Sequence, residues 1–318
     1  MVMRVVFLGT PDFAVPSLQA LLSESGEIHY DVRAVITQPD RPAGRGLRLT
    51  PPPVKVVAEQ AGIPVFQPQR LRRDPQIYEL LRRLDPELMV VVAFGQILPA
   101  DFFQYPRLGT LNIHGSLLPR YRGAAPIAHA ILNGESETGT TIMKIDEGMD
   151  TGDILSQRAI PIDANITTGE LEVVLARQGA ELLVDTIPRY VSGALVPYPQ
   201  DDCLASLAPR IGKEQAAVDW AKPALSIHNQ IRAFNPWPIV RATLRGQVVK
   251  IWRSSVPGPA TAAANPGQIV RIDRPGITVQ CGASTTLLLT ELQLPGRNRN
   301  PAFDVANGLK LKVGERFE

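Results

Sequence analysis

The sequence predicts an α/β protein: a doubly wound, mostly parallel, Rossmann-like sheet domain followed by a small C-terminal β-barrel of OB-like type. Three observations carry this. Short apolar runs alternate with amphipathic segments through the first half of the chain. The periodicity then lapses into proline, glycine and aspartate between Ser192 and Pro209. After that lapse come brief strand-like runs separated by turn residues.

In the first half, Arg4–Gly9, Val32–Thr37, Leu88–Phe94 and Leu108–His114 are rich in valine and leucine and bounded by turns, which predicts strands. Between them, Phe13–Ser23, Pro53–Ala61 and Pro75–Leu84 have helical spacing, with proline at or near each start. Strand, helix, strand repeated in this way implies a parallel sheet with crossover helices. Gly139–Ile145 and Ile154–Ile160 continue it, and Thr168–Val191 closes the domain as a long helix. Beyond the lapse, Lys213–Ala217 and Ala224–Phe234 read as a short helix pair. Ile239–Leu244, Gln247–Trp252, Gly267–Arg271, Ile277–Gln280 and Thr285–Leu294 then read as the five strands of a small barrel. The alanine-rich stretch Pro257–Pro266 reads as a flexible loop between strands. The expected division is 1–191, a linker at 192–209, and 210–318.

A chain of 318 residues exceeds one ordinary core and suits two. With 44% hydrophobic and 20% charged residues, disorder is excluded, and no window approaches the ~20 apolar residues of a membrane helix. The sequence enters a buried-strand pattern at Arg4 with no leader pattern before it, so the cytoplasm is the expected compartment. Cys203 and Cys281 lie far apart and outside any CxxC, and His29, His114, His129 and His228 show no metal-ligand spacing, so no metal is expected. A net charge of +2 does not announce a nucleic-acid binder, and any such role must rest on a local patch.

The chemistry concentrates in Leu108-Gly-Thr-Leu-Asn-Ile-His-Gly-Ser-Leu-Leu-Pro-Arg-Tyr-Arg-Gly-Ala-Ala-Pro126. Asn112 and His114 stand two apart at the end of a strand, so both side chains leave on one face at its carboxyl edge. That edge is where α/β sheets bind ligands. An amide beside an imidazole can donate to a developing oxyanion, and the imidazole can also move a proton. A second block, Thr140–Asp153, is a strand followed by a glycine-bounded turn carrying several carboxylates. Of these, Asp150 is the one placed in the site, where a carboxylate would fix the tautomer of His114. Asp146 and Asp153 suit turn caps. Ser116 lacks the GxSxG frame of a nucleophile.

Embedded in LNIHGSLLPRYRGAAPI and GMDTGDIL, Asn112, His114 and Asp150 resemble the signature of formyltransferases that use 10-formyltetrahydrofolate. The resemblance implies that these three are catalytic and that Ser116, Leu117, Leu118 and Pro119 line the folate site. It also implies that the donor leaves as tetrahydrofolate and that no metal takes part. Gln38–Lys55 resembles the inserted basic loop of methionyl-tRNA formyltransferases, and Arg232–Pro238 resembles the segment that opens their C-terminal barrel. Methionyl initiator tRNA is then the expected acceptor, with Arg41, Arg45, Arg48 and Lys55 on its phosphates. Those four cations against Asp40 give a local +3 (four minus one). Family members often carry adjacent lysines where this loop has Leu47 and Arg48, and a lysine in place of Arg210. Proline and glycine throughout the stretch predict a loop that stays mobile until a polyanion orders it. A monomer acting away from membranes is expected. The same chemistry on a small amine, such as a nucleotide sugar, is the alternative, and the basic loop argues against it.

Overall fold

The computed structural model describes residues 1–23, 28–43, 46, 48–259 and 264–318. They form two compact units. Unit 1 comprises Met1–Pro126, Thr138–Ile160 and Glu172–Ala208; unit 2 comprises Ile127–Glu137, Pro161–Leu171 and Pro209–Glu318.

The elements in chain order begin with β1 (Val2–Gly9), α1 (Val15–Leu22), β2 (His29–Ile36), β3 (Arg41–Ala43), β4 (Arg48–Thr50), α2 (Pro53–Gln60) and β5 (Val65–Phe66). Next come α3 (Pro75–Leu84), β6 (Leu88–Val92), α4 (Ala100–Phe103), β7 (Thr110–His114) and α5 (Pro126–Leu132). Then follow β8 (Glu137–Lys144), β9 (Ile154–Pro161) and α6 (Thr168–Val191). Seven strands form one sheet in the order β5-β2-β1-β6-β7-β8-β9. The pairs among β5, β2, β1, β6 and β7 are parallel, and β8 runs antiparallel to β7. The chain builds outward from β1 through β2 to β5, then returns to lay β6 on the other side of β1. Strand order therefore reverses between β1 and β6, where the carboxyl ends of a doubly wound sheet open a crevice.

Both faces of this sheet are covered, which is why its central strands read as unbroken apolar runs. Met3, Val5, Phe7, Leu88, Val90 and Val92 belong to one core with Leu18 of α1 and Leu183 and Ile187 of α6. Val6, Leu8, Met89 and Val91 join a second core with Ile77, Leu80 and Leu81 of α3. Alternate residues of one strand thus feed opposite cores, as the pleat requires.

Unit 2 is built on α7 (Ala224–Ala233), the antiparallel strands β10 (Val240–Leu244), β11 (Gln247–Pro259), β12 (Ile269–Asp273), β13 (Gly276–Cys281), β14 (Thr285–Gln293) and β15 (Arg299–Pro301), and α8 (Ala302–Leu309). The sheet order is β10-β11-β14-β13-β12, with β15 on β14. The five expected strands are all present. The segment from Gly314 to Glu318 was not legible as part of the barrel, yet it joins the two edge strands. Thr243 and Glu318 exchange both backbone hydrogen bonds, at 2.7 and 2.8 Å, while Phe317 N–H donates to Gly267 (2.8 Å) and Ile269 N–H to Glu315 (2.7 Å). Closure satisfies two edges that would otherwise expose a row of unpaired groups. It is anchored by Phe317, fully buried with its ring 5.8 Å from that of Trp220.

Two further differences from the sequence-based expectation have local causes. The stretch 38–55 contains a hairpin, β3 paired with β4, where an open loop was expected; Arg41 faces Thr50 across it and Pro42 faces Leu49. Proline is compatible with a ribbon that has no further neighbours. β11 also runs on to Pro259, past the expected strand end, and residues 260–263 of the alanine-rich stretch lie outside the described residues.

Truncating Phe317 removes the apolar anchor of barrel closure and leaves a cavity. Phe317→Ala is expected to lower unfolding free energy by about 3–5 kcal/mol, read from urea unfolding followed by tryptophan fluorescence. A drop below about 1 kcal/mol would mean that the barrel closes without it.

Candidate active site

The site sits at the carboxyl end of β7. Asn112 and His114 lie in register with Met143 and Thr141 of β8, and Asn112 also opposes Val91 of β6. The strand therefore holds both residues at one edge of the crevice. His114 is buried at 6% exposure, and its Nε2 lies 2.9 Å from the backbone oxygen of Tyr121. A carbonyl can only accept, so Nε2 carries a proton. Nδ1, the nitrogen that carries the lone pair whenever the ring is neutral, faces Oδ2 of Asp150 at 3.7 Å. Asn112 is half-buried, and its side-chain amide makes no hydrogen bond to any described residue. An amide kept unengaged beside a committed imidazole is suited to a substrate oxygen.

Asp150 reaches this position through an uncommon backbone. Its φ is +55°, in the left-handed region that aspartate tolerates better than most side chains. Its Oδ2 accepts the N–H of Gly123 at 2.8 Å. Gly123 has φ +120°, and a Cβ there would come within 2.8 Å of the Ala208 oxygen, so no other residue fits without displacing the donor. The nearby carboxylate of Asp146 caps its own turn, accepting from Gly148 N–H (3.0 Å) and Thr151 Oγ1 (2.8 Å). Asp153 is exposed, and it is its backbone oxygen that accepts from Lys144.

Ser116–Pro119 forms a pinned turn. Ser116 is fully buried and donates to the Arg120 oxygen at 2.6 Å; its own oxygen accepts Thr141 Oγ1 at 2.6 Å. Leu118 is engaged at both ends, its N–H by Thr141 Oγ1 and its oxygen by Gln157 Nε2. The hydroxyl of Ser116 and both peptide groups of Leu118 are spent on protein, so this turn offers shape more than free hydrogen bonds.

Several participants gave no sequence signal. Segment 198–208, within the expected linker, runs beside the loop after β7 and belongs to unit 1. Ser206 Oγ accepts Tyr121 N–H at 2.9 Å, Arg122 N–H donates to the Ser206 oxygen at 2.8 Å, and Ala208 N–H donates to the Arg122 oxygen at 2.7 Å. Backbone pairing of this kind imposes no side-chain pattern, so composition alone could not separate strap from linker. Tyr121, at φ +63°, was equally silent.

The basic residues divide. Arg41 and Arg48 are exposed, and the hairpin register puts both on one face of the ribbon. Arg45 lies outside the described residues. Lys55 is largely buried and ion-paired: its Nζ lies 2.9 Å from both carboxylate oxygens of Asp40 and 3.0 Å from Gln67 Oε1. Hydrogen bonds from Gln67 and then Lys55 hold the Asp40 carboxyl below the usual carboxylate range. Among the described residues no cluster of His, Cys, Asp or Glu could hold a metal ion, and no helix is long and apolar enough to cross a membrane. His129 contacts the Pro209 oxygen and His228 is buried between Ser254 Oγ and the Ala164 oxygen, both structural placements.

This strand-end site lies in a chain that belongs to the formyl transferase family. Residues 3–187 match its formyl transferase model and residues 210–310 its formyl transferase C-terminal domain model. The chain is 50% identical to a methionyl-tRNA formyltransferase of Synechococcus sp. over 99% of this chain and 98% of that one. Among solved structures, an N-formyltransferase from Helicobacter canadensis, in complex with folinic acid and dTDP-3-aminofucose, superposes with a TM-score of 0.67 at 22% identity, covering 91% of this chain and 99% of that one. HypX from Aquifex aeolicus gives 0.63 at 17% identity over 99% of this chain, which spans only 50% of HypX. At those identities the two structures speak for the fold alone.

The left-handed backbone at residue 150 separates two substitutions. Asp150→Asn keeps an acceptor for Gly123 and a side chain that tolerates this conformation, whereas Asp150→Ala keeps neither. Asn is expected to be the more stable of the two by roughly 1 kcal/mol, measured by denaturant midpoints. An alanine variant as stable as the asparagine variant would contradict the assigned backbone constraint.

Proposed function

We propose that this chain transfers the formyl group of 10-formyltetrahydrofolate to the amino group of methionyl initiator tRNA, releasing tetrahydrofolate. It acts as a monomer in the cytoplasm and without a metal. The observation that carries the reading is the convergence of His114 and Asp150 beside the unengaged amide of Asn112, in a chain half-identical throughout its length to a methionyl-tRNA formyltransferase.

The amine of the aminoacyl ester adds to the formyl carbon, the carbonyl oxygen gathers charge, and the bond from carbon to N10 of the folate breaks. An α-amine has a reference pKa of about 7.7–8.0 and esterification of the neighbouring carboxyl lowers it, so much of it is already neutral near neutral pH and no strong base is needed. The larger demand is on positioning and on the oxyanion. Asn112 donates to that oxygen from its free amide. His114 takes the proton shed by the amine at Nδ1, since Nε2 is committed to Tyr121. The Asp150 carboxylate stabilises the imidazolium so formed, and His114 returns the proton to the departing N10. Ser116–Pro119 shapes the wall of the folate site, its own polar groups being occupied.

On the acceptor side, the Lys55–Asp40 pair cancels, leaving Arg41, Arg45 and Arg48 for the tRNA backbone. Lys55 serves that surface indirectly, by fixing the base of the hairpin. The C-terminal barrel supplies the remaining tRNA-binding surface.

His114→Ala and Asn112→Ala are each expected to cut turnover by on the order of 10²-fold or more, in a formylation assay with labelled donor and charged initiator tRNA. Wild-type turnover in a folded His114→Ala protein would sink the assignment, and formylation of a nucleotide sugar in place of the charged tRNA would move it to a small-amine enzyme. For the hairpin, the double variant Arg41→Ala/Arg48→Ala is expected to weaken tRNA binding and to flatten its log–log salt dependence by about 0.7–0.9 for each phosphate no longer neutralised. An unchanged slope would make the ribbon an ordinary solvated surface.

A further inference from the structure

Gln200 lies in the segment that composition marks as a linker, yet all of its amide valences are used inside unit 1. Its Oε1 accepts from Nε and Nη2 of Arg122, at 3.0 and 2.8 Å. Its Nε2 donates to the backbone oxygens of Asp150 (2.9 Å) and Gly152 (2.8 Å). The orientation is set by chemistry, because a guanidinium can only donate and a peptide oxygen can only accept. One side chain therefore grips the turn that carries Asp150 and the residue just before Gly123, whose N–H holds the Asp150 carboxylate. Arg122 is buried at 7% exposure and is completed by Asp202 at 2.8 Å, so its end of the bridge is fixed.

We propose that Gln200 is a positioning residue: it sets the backbone of Asp150 against the Arg122–Gly123 loop and so places the Asp150 carboxylate opposite Nδ1 of His114. The role rests on the reading that His114 and Asp150 are the reacting pair. Without this bridge, the left-handed residue at 150 has, among the described residues, only the Gly123 hydrogen bond to keep its carboxylate in place. Small displacements at such a pair are costly, since an error near 1 Å can reduce turnover about 10²-fold.

Glutamate at this position is the discriminating substitution. It matches glutamine in shape and keeps the acceptor for Arg122, but it turns a carboxylate oxygen onto two peptide oxygens. If Gln200 merely buttressed Arg122, Gln200→Glu would be harmless. If it positions Asp150, Gln200→Glu is expected to lower kcat by about 10- to 100-fold with either KM changed by less than about threefold. The defect should vanish in an Asp150→Asn background, where there is no carboxylate to place. Wild-type kcat in Gln200→Glu, full additivity with Asp150→Asn, or a turnover defect that tracks thermal unfolding would each overturn the proposal. The ¹⁵N resonances of the His114 ring supply a readout that needs no acceptor. They are expected to shift in Gln200→Glu and in Gln200→Ala, and unchanged resonances in folded Gln200→Glu would overturn it too. A wild-type enzyme that formylates no methionyl-tRNA would defeat the functional reading instead, leaving the resonances to decide the role of Gln200.

Discussion

The arrangement depends on a carboxylate that must be held beside a buried imidazole without pairing with it fully. Asp150 Oδ2 accepts one strong hydrogen bond, from Gly123, and faces His114 Nδ1 at a distance too long for a direct one. Both requirements fall on backbone that side chains rarely favour: φ +55° at Asp150 and +63° at Tyr121, with Gly123 at +120°. Such conformations persist only where the surroundings over-determine them. Here the surroundings are the sheet edge below, which fixes Asn112 and His114, and the 198–208 segment beside the loop, which fixes 119–123.

In the proposed mechanism the direction of proton movement follows from the same geometry. The Tyr121 carbonyl reserves Nε2, so His114 can exchange protons only through the nitrogen that faces Asp150. Asn112 then supplies the donor that the committed imidazole cannot. In the proposed mechanism one oxyanion donor, one proton carrier and one fixed anion divide the work among three side chains, and no covalent intermediate is required.

Much of this was legible in the sequence because it follows from periodicity. The apolar runs at Arg4–Gly9 and Leu88–Phe94 gave central strands, and the two-residue spacing of Asn112 and His114 put them on one face at a strand end, as observed. Asp146 read as a turn cap and is one. What escaped the sequence has no periodic signature. The closing segment at Gly314–Glu318 is too short and too charged to read as a strand, and only Phe317 betrays its buried register. Gln200 and Ser206 sit among prolines and aspartates, where composition suggests a linker, and their hydrogen bonds run to backbone atoms that any sequence carries. The pairing of Lys55 with Asp40 was equally hidden: fifteen positions separate them, and charge counting treats both as solvated.

The central claim, that the Tyr121 carbonyl fixes the His114 ring so that Nδ1 faces Asp150, is tested most directly by ¹⁵N NMR of imidazole-labelled protein. The His114 signals would be assigned by their disappearance in His114→Ala. In the neutral ring the proton is expected on Nε2, with Nδ1 unprotonated. A ring carrying its proton on Nδ1 would contradict the geometry and the proton path derived from it.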